Sequence, residues 1–152
     1  MKWASPISVI AAVVLLSRCG NVAGPTPGTF TAVYTNTLKS ACIECHVPTG
    51  SATRDNKCTI DFTSQTTAFN TLTTGLVVGT VSKGTCGTMS LVTALNPSKS
   101  YLTGVLFSDY VSQNFGGVTG CTPYPLSVHN QNLSADEKSS MLKWITDGAK
   151  NN

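Results

Sequence analysis

Charge is scarce in this chain of 152 residues: Asp, Glu, Lys and Arg make up 11% of it, with ten basic residues against seven acidic ones. No run of basic residues exists, so the electrostatic footprint that a nucleic acid requires is missing and no nucleic-acid partner is expected. No internal repeat is present either, which excludes stacked-repeat architectures. The longest apolar run, residues 7–16 interrupted only by Ser8, falls short of the roughly 20 apolar residues that a finished membrane-spanning helix needs. With so few charges, the polar surface has to be built mainly from Thr, Ser, Asn and Gly. That composition suits an exported protein but names no partner.

What stands at the N-terminus is an export signal, with Lys2 as its positive start and the short apolar run behind it. Two cleavage points compete. Leu16-Ser17-Arg18-Cys19 resembles a bacterial lipobox, in which Cys19 is the lipidated residue, although Arg18 occupies a position where a small side chain is expected. Val22-Ala23-Gly24 offers an ordinary cleavage site instead. Residues 1–18 are therefore read as the signal (alternatively 1–24), and Cys19 as the candidate lipidation site. The protein is expected outside the cytoplasm, in the periplasm or at the outer membrane or cell surface, touching a membrane only through that anchor. Loss of the first eighteen residues removes Lys2 and Arg18 and takes the formal charge from +3 to +1.

Residues 19–28 contain Gly and Pro without apolar periodicity and read as a linker; residues 29–152 are long enough for one domain with one core. Within it, Phe30, Val33, Tyr34, Leu38 and Cys42 follow at spacings of three, one, four and four, the pattern of one helix face, with Thr29 as N-cap. A polar loop over residues 48–63 holds Cys58. Residues 64–73 predict a short helix with Ala68, Phe69 and Leu72 inward, capped by Thr63 or Ser64 and stopped near Gly75. The stretch "VVGTVSKGTCGTMSLV" is either a hairpin or an irregular lid. Asn96-Pro97-Ser98 places a capping side chain before a proline and predicts a helix start, with Tyr101, Leu102, Val105 and Leu106 on its buried face. The last helix has the clearest signals: a capping box in Ser134-Ala135-Asp136-Glu137, Leu133 ahead of it, Met141, Leu142, Trp144 and Ile145 as the buried face, and Gly148 as the stop. The fold class is mainly α, with long irregular loops.

The chemistry concentrates in "ACIECHVPTG", residues 41–50, where Cys42 and Cys45 flank two residues and His46 follows at once. Two thiols at this spacing near a helix end can each form a thioether with one haem vinyl group, and the adjacent imidazole is placed to bind the iron. Export agrees with this, since such attachment takes place outside the cytoplasm. Other readings fit less well. A thioredoxin-like dithiol opens a helix, where the dipole lowers the first thiol's pKa, whereas here the helix precedes the cysteines. A structural zinc site needs four ligands at paired spacings, and Cys58 with His129 makes a poor second pair. A disulfide across only two intervening residues is strained.

The helix running into "CIECH", the "NPSKSYLTGVL" helix start and the closing "LSADEKSSMLKWITDGA" together resemble a monohaem c-type cytochrome domain of bacterial exported proteins and lipoproteins. The resemblance covers the chain from about Phe30 to its end. It implies a cytochrome c-like helical fold whose first and last helices cross and pack, here through Phe30, Tyr34, Met141, Trp144 and Ile145. It also implies haem c, with its iron, bound covalently at Cys42 and Cys45 and ligated by His46.

In many such domains a Met-Pro pair ahead of the "LS" capping box supplies the sixth ligand, but the corresponding stretch here, "GCTPYPLSVHNQNLS", contains no methionine. The distal candidates are His129, whose use would lower the potential relative to His/Met ligation, then Met89, and after these, unranked, Cys121 as thiolate or an open or water-filled site. Apart from Cys19 and the two cysteines of the motif, Cys58, Cys86 and Cys121 remain; one disulfide and one leftover thiol are expected, and three pairings are open.

The function expected is one-electron transfer by an electron carrier rather than an enzyme, with other exported redox proteins as transient partners. Two alternatives stay open: a haem-based small-ligand or sensing domain with an open distal face, next to which peroxidase-like chemistry belongs, and a haem-free, disulfide-stabilised surface module. Carbon monoxide or cyanide binding separates the first from the carrier, and haem content separates the second.

Overall fold

The computed structural model describes residues 24–51, 60–75, 86–87, 89–107, 110, 115–119, 121, 123 and 133–152. The signal, Cys19, Cys58, His129 and most of the "VVGTVSKGTCGTMSLV" stretch lie outside these. Among the described residues the elements are helical and none is a strand: α1 (Phe30–Val33) passing directly into a π-helical segment (Tyr34–Cys42), α2 (Gln65–Thr74), a 3-10 turn (Pro97–Lys99) followed by α3 (Tyr101–Leu106), a further 3-10 turn (Phe115–Gly117), and α4 (Ala135–Thr146). None of the described helices is long and apolar enough to cross a membrane. The mainly α class is what the periodicity predicts.

The first and last helices pack against each other. Phe30 and Trp144 are fully buried, with ring centroids 4.9 Å apart, and Phe30 also meets the edge of Phe69 at 5.2 Å. Met141 and Ile145 complete the buried face of α4 beside Trp144, while Leu142 is only half-buried. The packed region begins slightly before the expected boundary at Thr29. Gly28 is buried, and its N–H donates to the Ser140 hydroxyl at 3.0 Å, which ties the end of the Gly/Pro stretch to α4.

Local chemistry explains where these helices begin and stop. The Thr29 hydroxyl accepts from the Ala32 N–H at 3.2 Å, and Ser64 likewise caps α2 through the Thr67 N–H at 3.1 Å. At α4 both halves of the capping box are made: Ser134 N–H donates to Glu137 at 2.7 Å, and Glu137 N–H donates back to the Ser134 hydroxyl at 3.2 Å. The far end closes as a Schellman motif. Gly148, at φ +100°, donates to the Ile145 carbonyl, and Ala149 donates to the Trp144 carbonyl.

One cap comes from the opposite end of the chain. The Phe30 N–H donates to Asn152 Oδ1 at 3.0 Å, and the Thr31 N–H donates to the Asn152 carbonyl at 2.9 Å. Donors that a helix start ordinarily leaves to water are thus satisfied by residue 152. Asn152→Ala is expected to lower stability by about 1 kcal/mol, measured as a shift in the urea midpoint at unchanged slope.

Two expectations need correction. The helix leading to the cysteines is α only for its first turn and π thereafter. In that segment the Ser40 hydroxyl donates to the carbonyls of Asn36 and Thr37, and the Cys42 thiol points back five residues to the Thr37 carbonyl at 3.7 Å, so side chains compete with the ordinary α ladder. At Asn96-Pro97-Ser98 the helix starts twice rather than once. Asn96 makes no side-chain cap; a single 3-10 turn forms, Ser100 is extended, and α3 begins after it. The buried Ser100 hydroxyl accepts from the Thr93 N–H at 2.8 Å and faces the Thr93 and Asn96 carbonyls at 3.2 and 3.0 Å. Those bonds hold Ser100 outside helical geometry.

Candidate functional site

The π-helical segment ends at Cys42, and the backbone then folds over its own last carbonyl. The N–H groups of Cys45 and His46 both point to the Cys42 carbonyl, at 3.3 and 3.0 Å. The three side chains named by the motif are therefore grouped at the C-terminal end of the helix, as the sequence predicts. The chain turns sharply beneath them: Gly50 N–H donates to the Val47 carbonyl at 2.8 Å, and a Cβ on Gly50 would lie 2.3 Å from the Cys45 carbonyl oxygen. Only glycine permits that approach.

Cys42 is half-buried and packs against the core, Cys45 is exposed, and neither is in a disulfide. Burial pushes the Cys42 thiol up to about 11, with the neighbouring Cys45 and the Glu137 carboxylate adding to the effect. A thiol held protonated in this way does not serve as an attacking thiolate, which needs a lowered pKa.

An alkylation experiment follows from these environments. In haem-free protein, iodoacetamide is expected to modify exposed Cys45 first. Cys42 should stay slow at pH 8 and accelerate toward pH 11, because the thiolate is the nucleophile. Peptide mapping at stepped pH reads this out, and equal rates at pH 8 would contradict the buried placement of Cys42. A thiol whose folded pKa lies above the ordinary 9.0 favours the fold below about pH 9, and that contribution disappears as pH rises through about 11.

His46 is half-buried, and its ring lies against that of Phe62, centroids 5.3 Å apart and planes tilted by 55°. The two residues are also joined through the backbone, Phe62 N–H donating to the His46 carbonyl at 2.8 Å. On its other side the Phe62 carbonyl accepts from the Tyr34 hydroxyl at 3.3 Å. Phe62 falls within the stretch 48–63 that the sequence predicts as a polar loop, and nothing in that pattern marks it as part of the site. The available signal was Ile60 and Phe62 two apart in otherwise polar surroundings, and both are buried.

Of the other cysteines, Cys86 and Cys121 form a disulfide across 35 residues, which selects one of the three open pairings. With its sulfur committed there, Cys121 has no thiolate to offer a metal. Met89 is buried against that bridge: its Sδ lies 3.5 Å from Cys121 Sγ, and its methyl group faces Gly116 closely enough that a Cβ there would come within 2.3 Å. Among the described residues no three His, Cys, Asp or Glu side chains gather to hold a metal ion, so no four-ligand zinc set is found there. Comparison with protein-family models, curated proteins and solved structures finds no match to this chain.

Proposed function

We propose that the chain is an exported one-electron carrier of the monohaem c-type cytochrome kind, with haem c attached at Cys42 and Cys45 and its iron held on one side by His46. The observation that carries this reading is the state of the motif: two unbridged thiols, one half-buried and one exposed, sit at a helix end with a half-buried imidazole directly after them. That donor set fits a group requiring two thioether bonds and one nitrogen ligand.

When bound, haem supplies a reversible one-electron iron couple whose potential is set by its axial ligands and surroundings. The chain's own residues do the rest. Cys42 and Cys45 would tether the group. His46 is oriented by the turn that directs its N–H, with that of Cys45, onto the Cys42 carbonyl. The pairing of Phe30 with Trp144 agrees with the helix packing that the resemblance implies.

For the distal position His129 and Met89 remain the two candidates. His129 lies outside the described residues. In favour of Met89, its sulfur touches Cys121 in "GCTPYP", the stretch where the resemblance puts the sixth ligand. With both axial positions filled, the protein passes electrons to and from other exported redox proteins through brief contacts and carries out no chemistry on a bound substrate. Cys19 would hold it at a membrane surface.

The test is expression with c-type maturation machinery, followed by haem staining after denaturation and by oxidised and reduced spectra. Covalent haem with a sharp low-spin spectrum supports the carrier. Covalent but high-spin haem favours the ligand-binding alternative. Folded protein without haem overturns the proposal. In the same preparation His129→Ala and Met89→Ala are expected to separate, one becoming high-spin and the other keeping its spectrum and potential.

A further inference from the structure

His46 follows the helix rather than lying within it, so the helix backbone alone does not fix the plane of its imidazole. A packed neighbour can restrict the ring, and the Phe62 ring lies against it, with centroids 5.3 Å apart. Phe62 is 3% exposed, and its peptide group is held on both sides: its N–H bonds to the His46 carbonyl at 2.8 Å, and its carbonyl accepts from the Tyr34 hydroxyl at 3.3 Å. Tyr34 is itself buried and opens the π-helical segment that ends at Cys42. The helix that carries the first thiol thus reaches, through Tyr34 and then Phe62, the residue that would ligate iron.

We infer that Phe62 is a positioning residue of this site, its ring setting the orientation of the His46 imidazole and Tyr34 holding Phe62 in register. This rests on the haem reading above. Groups beyond the direct ligands fix the orientation of a metal-bound imidazole and tune the metal through it, and with haem the result appears in the potential. The π-helical segment acquires a role from this arrangement, because it fixes where the Tyr34 hydroxyl stands relative to the motif at its other end.

The test uses the full chain carrying haem, with Phe62→Leu and Tyr34→Phe. Phe62→Leu keeps an apolar side chain and both backbone hydrogen bonds while removing the ring. Tyr34→Phe removes one hydroxyl and serves as the milder variant should the first fold poorly. Both are expected to retain covalent haem and helical circular dichroism, and both should displace the paramagnetically shifted haem methyl proton resonances of the oxidised protein and the reduction potential, Phe62→Leu the more. Variants that unfold more easily yet keep the parental resonances and potential would overturn the inference, since they would show that Phe62 only fills the core. An unsubstituted chain that binds no haem would instead overturn the haem reading, and this role with it.

Discussion

Alanine at both Cys42 and Cys45 is expected to give a folded chain with no covalent haem. The fold has little to lose at these positions. Neither sulfur is in a disulfide, Cys45 is exposed, and Cys42 contributes one weak thiol contact to the Thr37 carbonyl at 3.7 Å and part of its surface to the core. The stability cost should therefore fall within the ordinary range of about 0.5–3 kcal/mol, near its lower end. The chemical loss, by contrast, should be complete, because each thioether needs its own sulfur. Either single substitution should leave one thioether, so haem staining after denaturation drops to zero only in the double variant, and intact mass should show the same order. Staining that persists in the double variant would show that the attachment point lies elsewhere. A haem-free parent whose activity survives both substitutions would support the disulfide-stabilised surface module.

What the sequence reveals and what it conceals divide according to how far apart the interacting residues are. The caps at Thr29, Ser64 and Ser134, the stop at Gly148 and the buried positions Phe30, Leu72, Met141 and Trp144 were all legible, because a cap or a helix face is encoded within a few neighbouring positions. The grouping of Cys42, Cys45 and His46 was legible for the same reason. Ser100 deceived the reading of the "NPSK" helix: the capping signal at Asn96 was real as a local preference, but hydrogen bonds back to Thr93 and Asn96 held Ser100 extended. The support given to Phe30 and Thr31 by Asn152 joins residues about 120 positions apart, and no local pattern announces it. Phe62 and the Cys86–Cys121 bridge were hidden likewise, since each depends on which distant segments the finished fold brings together.

Trp144→Ala should have the largest effect on stability. The indole is 1% exposed, its ring faces Phe30 at 4.9 Å, and its N–H donates to the Lys150 carbonyl at 2.8 Å. Truncation removes the centre of the packing between α1 and α4 and leaves a cavity that helices anchored by their caps cannot readily close, a change that costs about 3–5 kcal/mol. It also frees the carbonyl of Lys150, two residues before the Asn152 that supports the start of α1, so the damage extends to that contact. Small domains have only about 5–15 kcal/mol of stability in total, and the variant should lose a large part of it. Trp144→Phe should recover most of the loss, because the ring opposite Phe30 is kept and only the indole hydrogen bond disappears. Urea unfolding of the three proteins decides the matter. A loss below about 1 kcal/mol in Trp144→Ala would mean that the two helices do not depend on this contact.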